Sequence, residues 1–198
     1  MNSDEATIAV IDALQTLDVP YILVGSLASN LYGIPRSTKD ADFSVQVGAS
    51  GIRAIVARLG SQFRLDPQVS FETVTGTMRY VVNVAENPYR IEFFCMNDDP
   101  FARERFARRQ RSPFLGRQAF VPTPEDVVVM KLRWALSLNR PKDAEDARGV
   151  IAVQGDRLDW NYIRRWCDAH GTRELLDKVR ASILPFHGND PLLPSGTS

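Results

Sequence analysis

Residues 24–45, VGSLASNLYGIPRSTKDADFSV, restrict the fold of this chain more than any other stretch. An apolar run (Tyr21, Ile22, Leu23, Val24) meets Gly25-Ser26, and the segment closes on Asp40 and Asp42, two carboxylates one residue apart. As a strand, residues 40–45 place Asp40 and Asp42 on one face and turn Ala41, Phe43 and Val45 towards a core, because side chains alternate with period two. Two carboxylates on one face repel unless a cation lies between them. Hard oxygen donors at that spacing suit Mg²⁺ or Mn²⁺. The other end supplies the complement. Gly-Ser followed by Leu27, Ala28 and Leu31 predicts a strand turning into a short helix. Gly25 lets a phosphate approach the backbone, and Ser26 can cap the helix or hydrogen-bond a phosphate oxygen. The free N–H groups and dipole of the helix start favour an anion. Phosphate at one end and metal at the other describe a metal–nucleoside triphosphate site.

Gly25-Ser26, Leu31-Tyr32-Gly33, Pro35-Arg36, Thr38 and Asp40-Ala41-Asp42, in this order and spacing, resemble the first motif of the nucleotidyltransferase fold superfamily. The closest likeness is to its AbiEii-like group, found in bacterial toxin–antitoxin systems and as stand-alone proteins. The resemblance extends to about residue 183. It implies transfer of a nucleoside monophosphate from an NTP to an acceptor hydroxyl, with release of pyrophosphate. In that scheme Gly25 and Ser26 hold the β- and γ-phosphates, Asp40 and Asp42 coordinate Mg²⁺, and Arg36 and Lys131 neutralise phosphate charge. The bland alternative is that Asp40 and Asp42 form a solvated strand face.

The rest of the chain supplies candidates for completing such a site. Residues 63–96 change to period two, with Val69, Phe71 and Thr73 alternating, and predict an antiparallel meander that continues the sheet. In its last strand Glu92 shares a face with Arg90, Phe94 and Met96. A carboxylate inside YRIEFFCM needs a partner. Relatives carry a third acid on a later strand beside the aspartate pair, which makes Glu92 the candidate third metal ligand or proton acceptor. A salt bridge to Arg90 or to an arginine on a neighbouring strand is the alternative. Asp98 and Asp99 are second choices, since 97–100 looks like a turn with an N-cap.

Thr123-Pro124-Glu125-Asp126 predicts a capped helix start. On that helix Lys131 is surrounded by apolar residues. It either snorkels over them or, as the family context implies, faces the cleft and binds a triphosphate oxygen. Lys142-Asp143-Ala144-Glu145-Asp146 opens the next helix, and matching Lys-Asp-x-x-Asp patterns recur near the nucleotide in the AbiEii-like group. Asp143 is favoured as the site residue, with Asp146 expected to hold Lys142 at i, i+4.

Formal net charge is zero, with 24 basic and 24 acidic residues, so overall charge does not mark a nucleic-acid binder. Arg103, Arg105, Arg108, Arg109, Arg111 and Arg117 nevertheless cluster. The cluster is a solvated helix face or, alternatively, a phosphate-contacting patch that tilts the acceptor towards RNA, including tRNA. Cys95 and Cys167 look like buried hydrophobes with no metal spacing. His170 and His187 have no metal or catalytic partner in sequence. No signal peptide and no membrane span are expected, which makes a reducing cytoplasm the default.

The expected fold class is α+β: a nucleotidyltransferase domain with a mixed sheet flanked by helices over residues 1–121, a C-terminal helical bundle over 122–185, and a loose tail over 186–198. The nucleotide would sit in the cleft between them. The acceptor is RNA or tRNA, a protein, or a polar small molecule, and in the toxin setting an antitoxin protein is a further partner. A catalytically silent binding protein on the same scaffold is the second reading. A metal-dependent nuclease, the third, would not need the Gly25-Ser26 turn.

Overall fold

The computed structural model describes residues 1–183; the expected helix stop at Pro185, His187 and the tail lie outside them. Helix α1 (Ser3–Thr16) begins with a reciprocal capping box between Asn2 and Glu5, buries Val10, Ile11 and Leu14, and ends on Leu17 as its exposed C-cap. Strand β1 (Tyr21–Val24) runs straight into α2 (Gly25–Tyr32), and β2 (Asp40–Val45) returns beside it. Helix α3 (Ala49–Leu59) has Gly48 as its N-cap, with no side-chain cap.

The meander comprises β3 (Phe63–Leu65), β4 (Ser70–Glu72), β5 (Thr77–Val84) and β6 (Arg90–Cys95), and joins β1 and β2 in one sheet of order β1-β2-β6-β5-β3, with β4 paired to β5. The sheet is mixed: β1–β2 and the β5 pairs are antiparallel, and β2–β6 is parallel. Its core face carries Ala41, Phe43, Val45, Ile91, Phe93 and Val82 against α1 and α3. The alternation of Val69 and Phe71 does not mark a core face: Phe71 is 61% exposed on the short strand β4, and Val69, just before it, is 41% exposed.

After α4 (Pro100–Ala107), the hairpin β7 (Gln110–Phe114) and β8 (Arg117–Val121) packs Phe120 edge-on to Tyr21 of β1, with centroids 5.7 Å apart. Helices α5 (Pro124–Ser137), α6 (Pro141–Gln154), α7 (Trp160–Ala169) and α8 (Arg173–Ala181) follow. They bury Val128, Leu132, Val150, Ile163 and Leu176 in a second apolar cluster, which also takes in Ala28 of α2 and Phe101 of α4. The helices therefore close over the phosphate-turn helix itself. Gly33 permits this approach: a Cβ there would lie 2.8 Å from the Val150 nitrogen of α6. Tyr32 adds a hydroxyl donated to the Pro122 carbonyl at 2.8 Å, and Gln154 donates to the Tyr32 carbonyl at 2.7 Å. The Leu-Tyr-Gly part of the motif is thus the joint between sheet and helices. Among the described residues no helix is long and apolar enough to cross a membrane.

Helix α5 starts as its sequence predicts, with Thr123 and Asp126 in a reciprocal capping box and Pro124 in the first turn. Both caps are buried, and Asp126 also accepts the Tyr162 hydroxyl of α7. Replacing Thr123 by Ala removes the cap of the helix that anchors the second cluster. We expect Thr123→Ala to lose about 1–2 kcal/mol in equilibrium urea unfolding, with the folded-state far-UV spectrum unchanged.

Candidate active site

Antiparallel pairing sets Val24 of β1 opposite Asp42 of β2. The Gly25 turn therefore lies directly against the second aspartate. Gly25 has φ +65°, and a Cβ there would overlap Oδ2 of Asp42 and lie 2.7 Å from its Cγ. Only glycine satisfies both the left-handed backbone and that contact. The phosphate turn and the acid pair, distant in sequence, line one cleft of about 360 Å³ between sheet and helices. Thr38, Lys131 and Asp143 line it too.

Ser26 does not cap α2, which has no side-chain cap. Its Oγ instead accepts a hydrogen bond from Arg36 Nη2 at 2.8 Å. That leaves the hydroxyl proton free to donate. Arg36 in turn forks onto Asp146, with Nε–Oδ1 at 2.6 Å and Nη2–Oδ2 at 2.7 Å. Asn30 holds the Arg36 backbone from both sides, accepting from its N–H at 3.1 Å and donating to its carbonyl at 2.8 Å. Arg36 is thus a brace behind Ser26 and is not part of the cleft lining.

Asp146 does not hold Lys142. It binds Arg36 and Lys131, the latter at 2.7 Å. Burial works to raise the Asp146 pKa, but the hydrogen bonds from Arg36 and Lys131 outweigh it and hold the group below the ordinary aspartate value. Lys131 is 8% exposed and also binds Asp143 at 2.8 Å, and Asp143 pairs with Arg140 at 3.0 Å. Both readings of Lys131 are partly met: it is embedded among apolar neighbours, yet its ammonium lines the cleft. Two of its three N–H donors are taken, leaving one for a ligand. Asp143 lines the cleft with its carboxylate already engaged by two cations.

Asp40 accepts a 2.6 Å hydrogen bond from Thr38 Oγ1. The pKa of Asp42 is pushed up to about 8, first by burial and then by the neighbouring charges of Asp40 and Glu92, with Lys131 and Arg79 offsetting only part. The pair is short of positive charge, as expected of a cation site. Among the described residues no group of three or more His, Cys, Asp or Glu is gathered tightly enough to hold a metal ion. Two carboxylates lining one cleft with the Gly25 turn nevertheless fit Mg²⁺, which is commonly held by one or two carboxylates plus substrate phosphates and water.

Glu92 lies directly across the parallel ladder from Asp42. Its carboxylate is engaged by Arg79 of β5, with Nε–Oε2 at 2.7 Å and a second bond from Nη2 to Oε1. The alternative of a salt bridge to a neighbouring-strand arginine is therefore what the structure shows, and Glu92 is not part of the cleft lining. Asp98 and Asp99 serve locally: Asp98 pairs with Arg103 at 3.0 Å, and Asp99 caps α4.

The arginine run is largely used internally. Arg103 pairs with Asp98, Arg117 with Asp12 at 2.9 Å, and Arg108 with Glu125 at 3.2 Å while stacking over Tyr162. Arg109 lies over Phe106 and Arg111 over Phe120. Arg103, Arg111 and Arg117 remain exposed at the surface, while Arg105 is buried. Both cysteines are free thiols. His170 stacks on Trp166 and meets Phe101 edge-on, and burial, aided by Arg133, lowers its pKa to about 4. It is a neutral packing residue at pH 7.

No protein-family model matches the sequence, and no curated protein does. Solved structures do match. The antibiotic-resistance factor ANT(2'')-Ia superposes with a TM-score of 0.60 at 13% identity, over 90% of this chain and 96% of its own. An antigenic nucleotidyltransferase-like protein from Paracoccidioides brasiliensis gives 0.53 at 16% identity, over 92% and 94%. JHP933 from Helicobacter pylori gives 0.52 at 16% identity, over 92% and 82%. Similarity at this level concerns the fold: the chain is an α+β protein of the nucleotidyltransferase architecture.

The raised pKa of Asp42 has a measurable sign. A carboxylate whose folded pKa lies above its unfolded value favours folding at low pH and loses that contribution as pH rises through the folded pKa. Metal-free protein is therefore expected to lose stability between about pH 4 and about pH 8. Asp42→Asn should flatten that slope in thermal unfolding measured across the range. A wild-type slope no steeper than the variant's would contradict the charge arrangement.

Proposed function

We propose that the protein is a nucleotidyltransferase that moves a nucleoside monophosphate from an NTP to the hydroxyl of a small-molecule acceptor. The observation that carries this reading is the placement of the Gly25 turn against Asp42 in one cleft. Backbone N–H groups at the start of α2 and the Ser26 hydroxyl bind the β- and γ-phosphates, with Arg36 holding Ser26 in position. The remaining N–H of Lys131 meets a phosphate oxygen, and Asp143 orients that lysine. Asp40, fixed by Thr38, and Asp42 hold Mg²⁺ or Mn²⁺. When bound there with the triphosphate, the ion supplies neutralisation of the charge that develops on the transferring phosphoryl group.

The acceptor oxygen forms a bond to the α-phosphorus, the bond from that phosphorus to the α–β bridging oxygen breaks, and pyrophosphate leaves. The hydroxyl proton goes to Asp40, which lines the cleft and keeps one oxygen clear of Thr38, since both oxygens of Glu92 are held by Arg79. A role for Glu92 as a further metal ligand would require it to exchange Arg79 for the ion.

Membership of the AbiEii-like group, with a toxin role, an RNA or tRNA acceptor and an antitoxin partner, rests on the motif resemblance. Of the arginine run only Arg105 lines the cleft among the described residues, so the run supports an RNA acceptor weakly at the site and a small molecule is favoured. ANT(2'')-Ia, an antibiotic-resistance factor, offers a precedent for the fold. A silent scaffold is the less favoured reading, because Asp40 and Asp42 line the cleft beside the Gly25 turn and neither has an ion-pair partner among the described residues.

The test is incubation with α-labelled NTPs, Mg²⁺, and in separate arms a metabolite extract or total RNA. Wild-type protein is expected to label the metabolite fraction. Asp42→Asn should abolish labelling and weaken Mg²⁺–NTP binding. Asp40→Asn should lower turnover by about 10²–10⁴-fold. Label entering RNA alone would return the acceptor to nucleic acid, and no label in either arm would favour the silent scaffold.

A further inference from the structure

Among the described residues, Arg105 is the arginine of the run that is buried yet belongs to no ion pair. Arg105 lies on α4, is 9% exposed and lines the cleft. Its Nε has no hydrogen-bond partner among the described residues, and none of the ion pairs among them includes it. Its guanidinium carbon stands 6.0 Å from the Phe101 ring centre. The acidic groups that influence it most are Asp126 and Asp99. Asp126 is committed to Thr123 and Tyr162, and Asp99 to the α4 cap and to Arg133 at 3.7 Å.

A guanidinium carries five donors and does not give up its proton. Burying it without an acceptor is costly, so an isolated one in a cleft wall calls for a ligand to complete it. Arg105 enters the cleft from α4, together with Phe101 and Ala102, whereas Asp40 and Asp42 enter it from β2 and the Gly25 turn from the start of α2. Arg133 lines the cleft as well, with apolar surface from Phe94, Met130 and Trp134.

We propose that Arg105 is the anion-binding residue of the acceptor subsite, so that the acceptor is a small molecule carrying a carboxylate or phosphate group as well as the hydroxyl that is modified. The substrate assignment rests on the transferase reading above; the anion site does not. The planar fork matches either anion in a bidentate manner. Arg133 adds a second positive charge, and the aromatic and methionine walls suit an apolar body between anion and hydroxyl. A polycationic acceptor does not fit beside two guanidinium groups.

The test follows arginine Nε–H signals of the full chain by NMR, with the Arg105 signal assigned by its loss in Arg105→Met. Inorganic phosphate and acetate are titrated separately, each with and without Mg²⁺ and saturating non-hydrolysable α,β-methylene ATP, CTP, GTP or UTP. One of the two anions is expected to shift the Arg105 signal while an analogue remains bound, and the responding anion identifies the acceptor group. Following the Arg133 signal and other cleft amides, Arg105→Met should weaken anion binding by at least about tenfold and leave analogue affinity within about twofold. Arg105→Lys, which keeps the charge but loses the fork, should weaken the anion alone and decides the matter if the Met variant does not fold. The proposal is overturned if neither anion shifts Arg105, if the analogue displaces the anion, or if the variants bind anion like wild type. It is overturned equally if they lose analogue and anion together. Anion binding governed by Arg105 in a wild-type protein that binds no analogue would instead sink the transferase reading and leave the anion site standing.

Discussion

The antiparallel register that sets Val24 opposite Asp42 is the constraint on which the cleft depends. Strand register is fixed where one face is buried, because a slip of one residue exchanges the two faces. Here the buried face holds Ala41, Phe43 and Val45, and Phe43 packs against Tyr21 and Phe93 at centroid distances of 6.1 Å and 5.8 Å. A slip would bury Asp40 and Asp42 and expel Phe43. The apolar core therefore fixes the position of the acids without touching them. Gly25 is the second half of the same constraint, since the register is compatible only with a residue lacking a side chain at the start of α2.

A second layer of order is electrostatic. Ser26, Arg36, Asp146, Lys131, Asp143 and Arg140 form one continuous chain of polar contacts from the phosphate turn to the start of α6. Buried ions stabilise a fold only weakly, because desolvation offsets most of their attraction, but removing one partner strands the other. Such a chain is better at fixing positions than at adding stability. It links the turn that holds phosphate to the lysine that faces it, across the joint made by Gly33 and Val150. Sheet and helices are thereby set at one cleft width.

Local sequence carried the parts of this arrangement that depend on near neighbours. The strand-to-helix turn at Gly25, the shared face of Asp40 and Asp42, and the Thr123–Asp126 capping box all follow from spacing alone. The misplacements came where a long-range partner displaced a local one. Asp146 has a lysine at i−4, yet it binds Arg36 from a loop on the far side of the cleft and Lys131 from the preceding helix. Ser26 has the chemistry of a cap, yet Arg36 claims its oxygen. Glu92 finds Arg79 only because β5 pairs with β6 so that Val81 faces Glu92 and Arg79 lies diagonally on the same face; no spacing rule in the sequence reveals that pairing. Phe71 alternates correctly and is still exposed, because its strand covers nothing.

The balance of answered and unanswered charge also orders the arginine run. Six arginines in fifteen residues look alike as a sequence. In the fold Arg103 and Arg117 find surface carboxylates, Arg108 finds Glu125 and a tyrosine ring, and Arg109 and Arg111 lie on phenylalanines. Each of these interactions is of the modest kind that solvent or a ring face can supply. Arg105 differs because it is both buried and left without an acceptor among the described residues. The acid pair is the mirror case, two carboxylates whose repulsion is only partly relieved by Lys131 and Arg79. A cleft with unmet negative charge beside its phosphate turn and unmet positive charge in another part of its wall is polarised in a way that a symmetric or uniformly charged ligand does not satisfy. In the proposed reaction a metal-bound triphosphate would answer the first, and a small acceptor with an anionic end the second.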